Sequence, residues 1–118
     1  MGKAVDRYLY TVSTLHERYL CVRSVDVAHF LGVTKASVSA FVRHARDRGL
    51  LEMEQDGNLL LTQDGRGYVD QLSERICFFR QLLVHAGVNP SAAIQDAIAF
   101  SWEMSEASYE AFRRILPG

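Results

Sequence analysis

Between Ser24 and Arg46 the apolar positions recur twice at helical spacing, with a break between the two runs. Val25, Ala28 and Leu31 predict a short helix, and Val38, Phe41, Val42 and Ala45 predict a second, each with its apolar stripe on one side. Ser24 is the N-cap expected for the first and Thr34 for the second, because each side-chain oxygen can accept a first-turn N–H. Gly32 separates them as a C-cap, able to take positive φ without a Cβ clash. The pattern then changes period. Leu51-Glu52-Met53-Glu54 alternates as a half-buried strand does, Gln55-Asp56-Gly57-Asn58 is a turn, and Leu59-Leu60-Leu61-Thr62 returns. Helix, turn, helix and hairpin predict a winged helix-turn-helix, a motif that places its second helix in a DNA major groove.

The same patterning extends to both sides. A first helix is expected over 4–17, with Val5, Tyr8, Leu9, Val12 and Leu15 on its apolar side, then a connection that includes an extended stretch at Leu20-Cys21-Val22. Thr62 caps a long helix reaching about His85, striped by Tyr68, Leu72, Ile76, Phe79 and Leu83 and weakened by Gly65 and Gly67, each by up to ~1 kcal/mol relative to Ala. Gly87-Val88-Asn89-Pro90 closes it and opens another helix, anchored by Ile94, Ile98 and Trp102. Ser105 caps the last helix, which carries Tyr109, Phe112 and Leu116 and stops at Pro117-Gly118. The expected class is mainly α with a small β wing: residues 1–62 a winged helix-turn-helix DNA-binding region, and residues 63–118 a helical dimerisation region, in one compact unit.

On the second helix of the motif, the side opposite the stripe carries Lys35, Ala36, Ser37, Ser39, Ala40, Arg43 and Arg46. Short or polar side chains permit close approach to base edges and basic flanks meet phosphates, so these residues, with Thr34, are the expected DNA-binding set. An ordinary amphipathic helix pair within a small core would show the same stripe. Charge favours DNA. The net charge is only −1, but residues 18–50 hold six Lys/Arg against two Asp/Glu, whereas residues 51–118 hold five against ten. The wing carries Glu52, Glu54 and Asp56 and no base, so the helix is expected to supply the phosphate attraction.

A length of 118 residues with 48% hydrophobic and 23% charged content describes one globular domain. No run approaches the ~20 apolar residues of a membrane span, and the N-terminus has no signal-peptide core, so a cytoplasmic protein is expected. Cys21 and Cys77 are expected to be reduced, partly buried thiols. Nothing resembles a catalytic triad, a phosphate-cradling Gly loop or a catalytic acid pair, so an enzyme is not expected. The helices beyond the wing hold more apolar surface than a lone helical hairpin can hide. A homodimer is therefore expected, with Phe79, Ile94, Ile98 and Trp102 in the interface or the core beneath it.

These residues together resemble the metal-dependent repressors related to the diphtheria toxin repressor and the manganese transport regulators. The similarity runs through Tyr8-Leu9-Tyr10-Thr11-Val12, Val25 to Val33, Ala36-Ser37-Val38-Ser39, Gly49-Leu50-Leu51, Leu61-Thr62-Gln63-Asp64-Gly65, Arg75 to Phe79 and Ala86-Gly87-Val88. It is strong in the DNA-binding half and one of layout beyond it, and the SH3-like third domain of larger members has no counterpart. The resemblance implies a site for Mn(II) or Fe(II), hard ions that need carboxylate and imidazole ligands. Its ligand positions fall on Arg7, Tyr10, Ile76, Ile98, Ser101 and Trp102. No metal ligand and no cofactor are expected there. Asp6, His85, Asp96, Glu103 and Glu106 are the nearest substitutes, with solvated carboxylates as the plainer account, and His16 and His29 are expected to be partly exposed polar residues.

Three functions compete: a homodimeric regulator, a repressor by family, that binds double-stranded DNA without metal; a metal sensor with rebuilt ligands; and a protein-interaction module that has lost DNA binding.

Overall fold

The computed structural model describes residues 3–116, the first two by backbone alone. Along the chain run α1 (Lys3–His16), α2 (Ser24–Leu31), α3 (Lys35–Asp47), β1 (Leu51–Met53), β2 (Leu59–Leu61), α4 (Gln63–His85), α5 (Pro90–Glu103) and α6 (Glu106–Ile115). The class is the expected one, mainly α with a small β wing. Pro117-Gly118, the expected stop, lies outside the described residues, as do Met1 and Gly2. Contacts divide the chain into two units, Met1–Asp70 and Gln71–Gly118. Among the described residues no helix is long and apolar enough to cross a membrane.

In the first unit the core comes from every element. Leu9 and Val12 of α1, Val22, Val27 of α2, Val38 of α3, Leu51 and Leu59 of the strands and Val69 of α4 are almost free of solvent. Full burial of such a side chain contributes about 1.5–3 kcal/mol, so this set supplies the main driving force. Tyr8 adds an edge-to-face contact with Phe41 at 4.9 Å. Gly32 takes φ +67°, the left-handed turn the motif requires. Thr34 caps α3 by accepting the Ser37 N–H at 3.1 Å.

Two local expectations are corrected. Arg23, not Ser24, is the N-cap residue of α2, and the Asp26 carboxylate caps in place of a serine by accepting the Arg23 N–H at 2.8 Å. Val25 is 49% exposed while Val27 is fully buried, because the inward face of this short helix is set by Val27 and Ala28. The connection at residues 20–22 is neither helix nor strand. A single backbone bond joins Leu59 N–H to Val22 C=O at 2.8 Å, and the Asn58 side chain takes the place of a second by accepting Val22 N–H at 2.8 Å.

The antiparallel pair sets Leu51 opposite Leu61 and Met53 opposite Leu59. Thr62 joins this hairpin to α4: its hydroxyl donates to Gly49 C=O at 2.6 Å and accepts Gly65 N–H at 3.0 Å. A Cβ on Gly65 would lie 2.0 Å from the Leu50 carbonyl oxygen. Gly65 is thus a close-approach site, which its place in a helical stripe does not reveal.

In the second unit Leu72, Ile76, Phe78, Phe79, Ala93, Ala97 and Tyr109 are buried. Phe79 makes ring contacts with Phe78, Phe100, Tyr109 and Phe112, all within about 6 Å. Asn89 caps α5 and Ser105 caps α6, as expected. The buried face of α5 is Ala93, Ala97 and Ser101, whereas Ile94, Ile98 and Trp102 are half-buried. The two sets share the same spacing and differ by one residue, about 100° of helix rotation. Small side chains face inward and large ones sit at the margin. Cys21 is half-buried and Cys77 is exposed on α4, not partly buried.

Candidate nucleic-acid interface

The stripe Val38, Phe41, Val42 and Ala45 is buried and holds α3 against the first unit's core. Its opposite side is therefore turned outward: Lys35, Ala36, Ser37, Ser39, Ala40, Arg43 and Arg46 are all exposed. Thr34 stands at the N-terminal end, its hydroxyl donating to Ser37 Oγ at 2.9 Å. Ser39, Arg43 and Arg46 come together in one groove of about 530 Å³, whose other walls are Ser24, Val42, Asp47 and Met53. The groove runs between the exposed side of α3, the start of α2 and the first strand of the wing. Lys35, Ala36, Ser37 and Ala40 lie on the open surface of α3, outside this groove.

The wing is less simply acidic than its sequence suggests. Asn58 is buried, and its backbone N–H binds Asp56 Oδ1 at 2.9 Å while its amide Nδ2 binds Glu54 Oε1 at 2.7 Å. Both carboxylates are therefore engaged within the turn. Arg23, the residue before α2, secures the same turn by donating Nε–H to Asp56 C=O at 2.7 Å. The charge pattern alone marks Arg23 as basic. Its contact with a turn 33 residues away is a product of the fold.

The positions to which the resemblance assigns metal ligands carry other chemistry. Arg7 is an exposed cation on α1, and Ile76 is an aliphatic side chain only 3% exposed. Ser101 is buried and its hydroxyl donates to Ala97 C=O at 2.8 Å. Tyr10, Ile98 and Trp102 are half-buried. This set does not fit a divalent ion: aliphatic carbons offer no lone pair, and a guanidinium repels a cation.

The substitute ligands fare no better. Asp6 accepts a hydrogen bond from the Tyr68 hydroxyl, and Glu106 lies 3.7 Å from Arg75, whose Nη2 donates to Met104 C=O. A helix break at Met104-Ser105 separates Glu103 from Glu106. His16 donates Nε2–H to Leu59 C=O at 2.6 Å, and His29 is exposed on α2. Among the described residues no three His, Cys, Asp or Glu side chains gather as a metal site requires.

No family model matches the sequence. The chain is 30% identical over 109 residues to the transcriptional regulator MntR of Escherichia coli, covering 92% of this chain and 70% of that protein. The MntR of Salmonella typhimurium is 27% identical over 108 residues. Among solved structures, the metal-dependent transcriptional regulator MtsR superposes with a TM-score of 0.80 at 20% identity, over 94% of this chain and 52% of that one. A hypothetical protein of Sulfolobus solfataricus superposes at 0.71 and 19% identity, over 99% and 90%. At such identities the structural likeness is one of fold.

Proposed function

The chain belongs to the family of MntR transcriptional regulators, and we propose that it binds double-stranded DNA sequence-specifically, as a homodimer, without a divalent ion at the family positions. The family is one of regulators, not enzymes. The observation that carries the proposal is the two-sidedness of α3: a buried apolar stripe behind, and Lys35, Ala36, Ser37, Ser39, Ala40, Arg43 and Arg46 in front. An α-helix presenting short polar and basic side chains fits a major groove. Arg43 and Arg46 in the groove beside the wing suit phosphates or guanine edges.

Dimerisation is supported by the apolar surface of the second unit. Phe100 is 44% exposed, Phe112 40% and Ile115 74%, and Ile94, Ile98 and Trp102 are half-buried. Phe79, already 5% exposed within one chain, belongs to the core beneath such an interface. A two-fold axis would set two copies of α3 about 34 Å apart, on successive major grooves.

Metal independence rests on donor chemistry. Ile76, Ile98 and Trp102 suit apolar packing, and replacing buried charges by apolar packing can stabilise a fold by ~1–4 kcal/mol. Such packing would hold one DNA-competent arrangement without an ion.

Binding-site selection on the purified protein, with and without chelator, tests the whole proposal. Recovery of one palindromic site under both conditions supports it. Failure to enrich any sequence overturns DNA recognition, and enrichment only with Mn(II) or Fe(II) overturns metal independence.

A further inference from the structure

We infer that Arg23 is a two-edged residue of the DNA interface, holding the wing turn with one edge and a backbone phosphate with the other. The inference deepens the DNA-binding proposal and rests on it.

Arg23 precedes α2 and is exposed. Its Nε–H is committed to Asp56 C=O at 2.7 Å, and its methylenes run beside Gly57. That bond orients the planar guanidinium. The terminal nitrogens make no hydrogen bond among the described residues, leaving the outer edge of the fork free for the non-bridging oxygens of a phosphate. The local carboxylates do not claim it: Asp26 accepts the Arg23 backbone N–H, while Asp56 and Glu54 are held by Asn58.

Position supports the same use. Ser24, the next residue, lines the groove that holds Ser39, Arg43 and Arg46. A DNA strand following that groove away from α3 meets the start of α2 and the wing turn, where Glu52, Glu54 and Asp56 supply no cation. Arg23 is the one base tied to that turn among the described residues. It gives an acidic wing a phosphate contact and fixes the wing's position relative to α2 at the same time. A surface arginine that only capped or buttressed a turn would give stability but no counterion release.

The test measures affinity for a short mixed-sequence DNA duplex across a salt series, for the wild type, Arg23→Ala and Arg23→Lys. Each phosphate neutralised contributes about 0.9 to the slope of log K against log salt. Arg23→Ala is expected to flatten the slope by about that amount, so the wild-type advantage shrinks roughly 3- to 4-fold between about 50 and 200 mM salt. Arg23→Lys, which keeps the charge, is expected to retain the wild-type slope. Thermal melts confirm that each variant is folded. Should the Ala variant unfold, Arg23→Gln replaces it, since its amide can still donate to a carbonyl without carrying charge. An unchanged slope in a folded uncharged variant overturns the inference even where affinity falls, because that is the signature of a structural role alone. If the wild type binds neither this duplex nor any selected site, the DNA-binding proposal itself fails.

Discussion

Gly65 and Gly67 sit two residues apart in the first turns of α4, yet they tolerate a methyl group very differently. A Cβ on Gly65 would meet the Leu50 carbonyl oxygen at 2.0 Å, whereas a Cβ on Gly67 finds nothing within 4 Å. Gly65→Ala must push helix and hairpin apart and is expected to cost more than ~2 kcal/mol, beyond the usual overpacking of a side chain against flexible neighbours. Gly67→Ala is expected to stabilise by about 0.5–1 kcal/mol through helix propensity. Denaturant midpoints decide both signs. From sequence these glycines read alike, because propensity is local and the Leu50 carbonyl arrives through the fold. Thr34, Gly32 and Asn89 were legible for the converse reason: a cap acts on its own first or last turn. Arg43 belongs to this scale too. Arg43→Ala is expected to cost about 1–3 kcal/mol with relaxed specificity at one operator position if it reads a base, or to flatten the salt slope by about one unit if it meets phosphate. A binding curve unchanged at every salt concentration removes Arg43 from the interface.

Among the elements, α3 and α5 show where periodicity succeeds and where it stops. In α3 the apolar residues are the large ones, so spacing and burial agree and the exposed side follows by subtraction. In α5 the inward face is Ala93, Ala97 and Ser101, small residues that leave little mark in a hydrophobic pattern, and the large side chains beside them lie at the margin. Close packing of a helix selects for small residues on the contact side. Ala97 is fully buried, so Ala97→Leu is expected to destabilise the chain by about 1–3 kcal/mol by overpacking. Ile98→Ser, at a half-buried position, is expected to leave the melting of the monomer little changed while weakening self-association. Paired thermal melts and sedimentation runs separate the two effects, and a monomer melt that collapses on Ile98→Ser would place that residue in the core. The wing marks a second boundary of legibility. Its strands follow from alternation, but the bond from Arg23 to the turn of Glu54, Asp56 and Asn58 joins segments 33 residues apart, which no local pattern reports.

At the scale of the molecule, charge and apolar surface divide the labour. The basic excess lies on residues 18–50 and the acidic excess on residues 51–118, a division already visible along the sequence. The apolar surface left by Phe100, Phe112 and Ile115 is what a second copy would cover. Stable homodimers typically bury more than ~2,000 Å², so sedimentation at micromolar concentration is expected to give a single dimeric species, and a stable monomer would defeat the dimer. The family's metal chemistry is the sharpest point at issue, since Arg7 and Ile76 put a guanidinium and aliphatic carbons where the resemblance places ligands. One titration tests this most directly: the affinity of the protein for its selected operator, measured in EDTA and again with added Mn(II) or Fe(II). The same tight, sequence-specific binding is expected in all three conditions. Tightening of ~10-fold or more on adding either ion, a coupling of ~1.4 kcal/mol, or no specific binding in any condition, would contradict it.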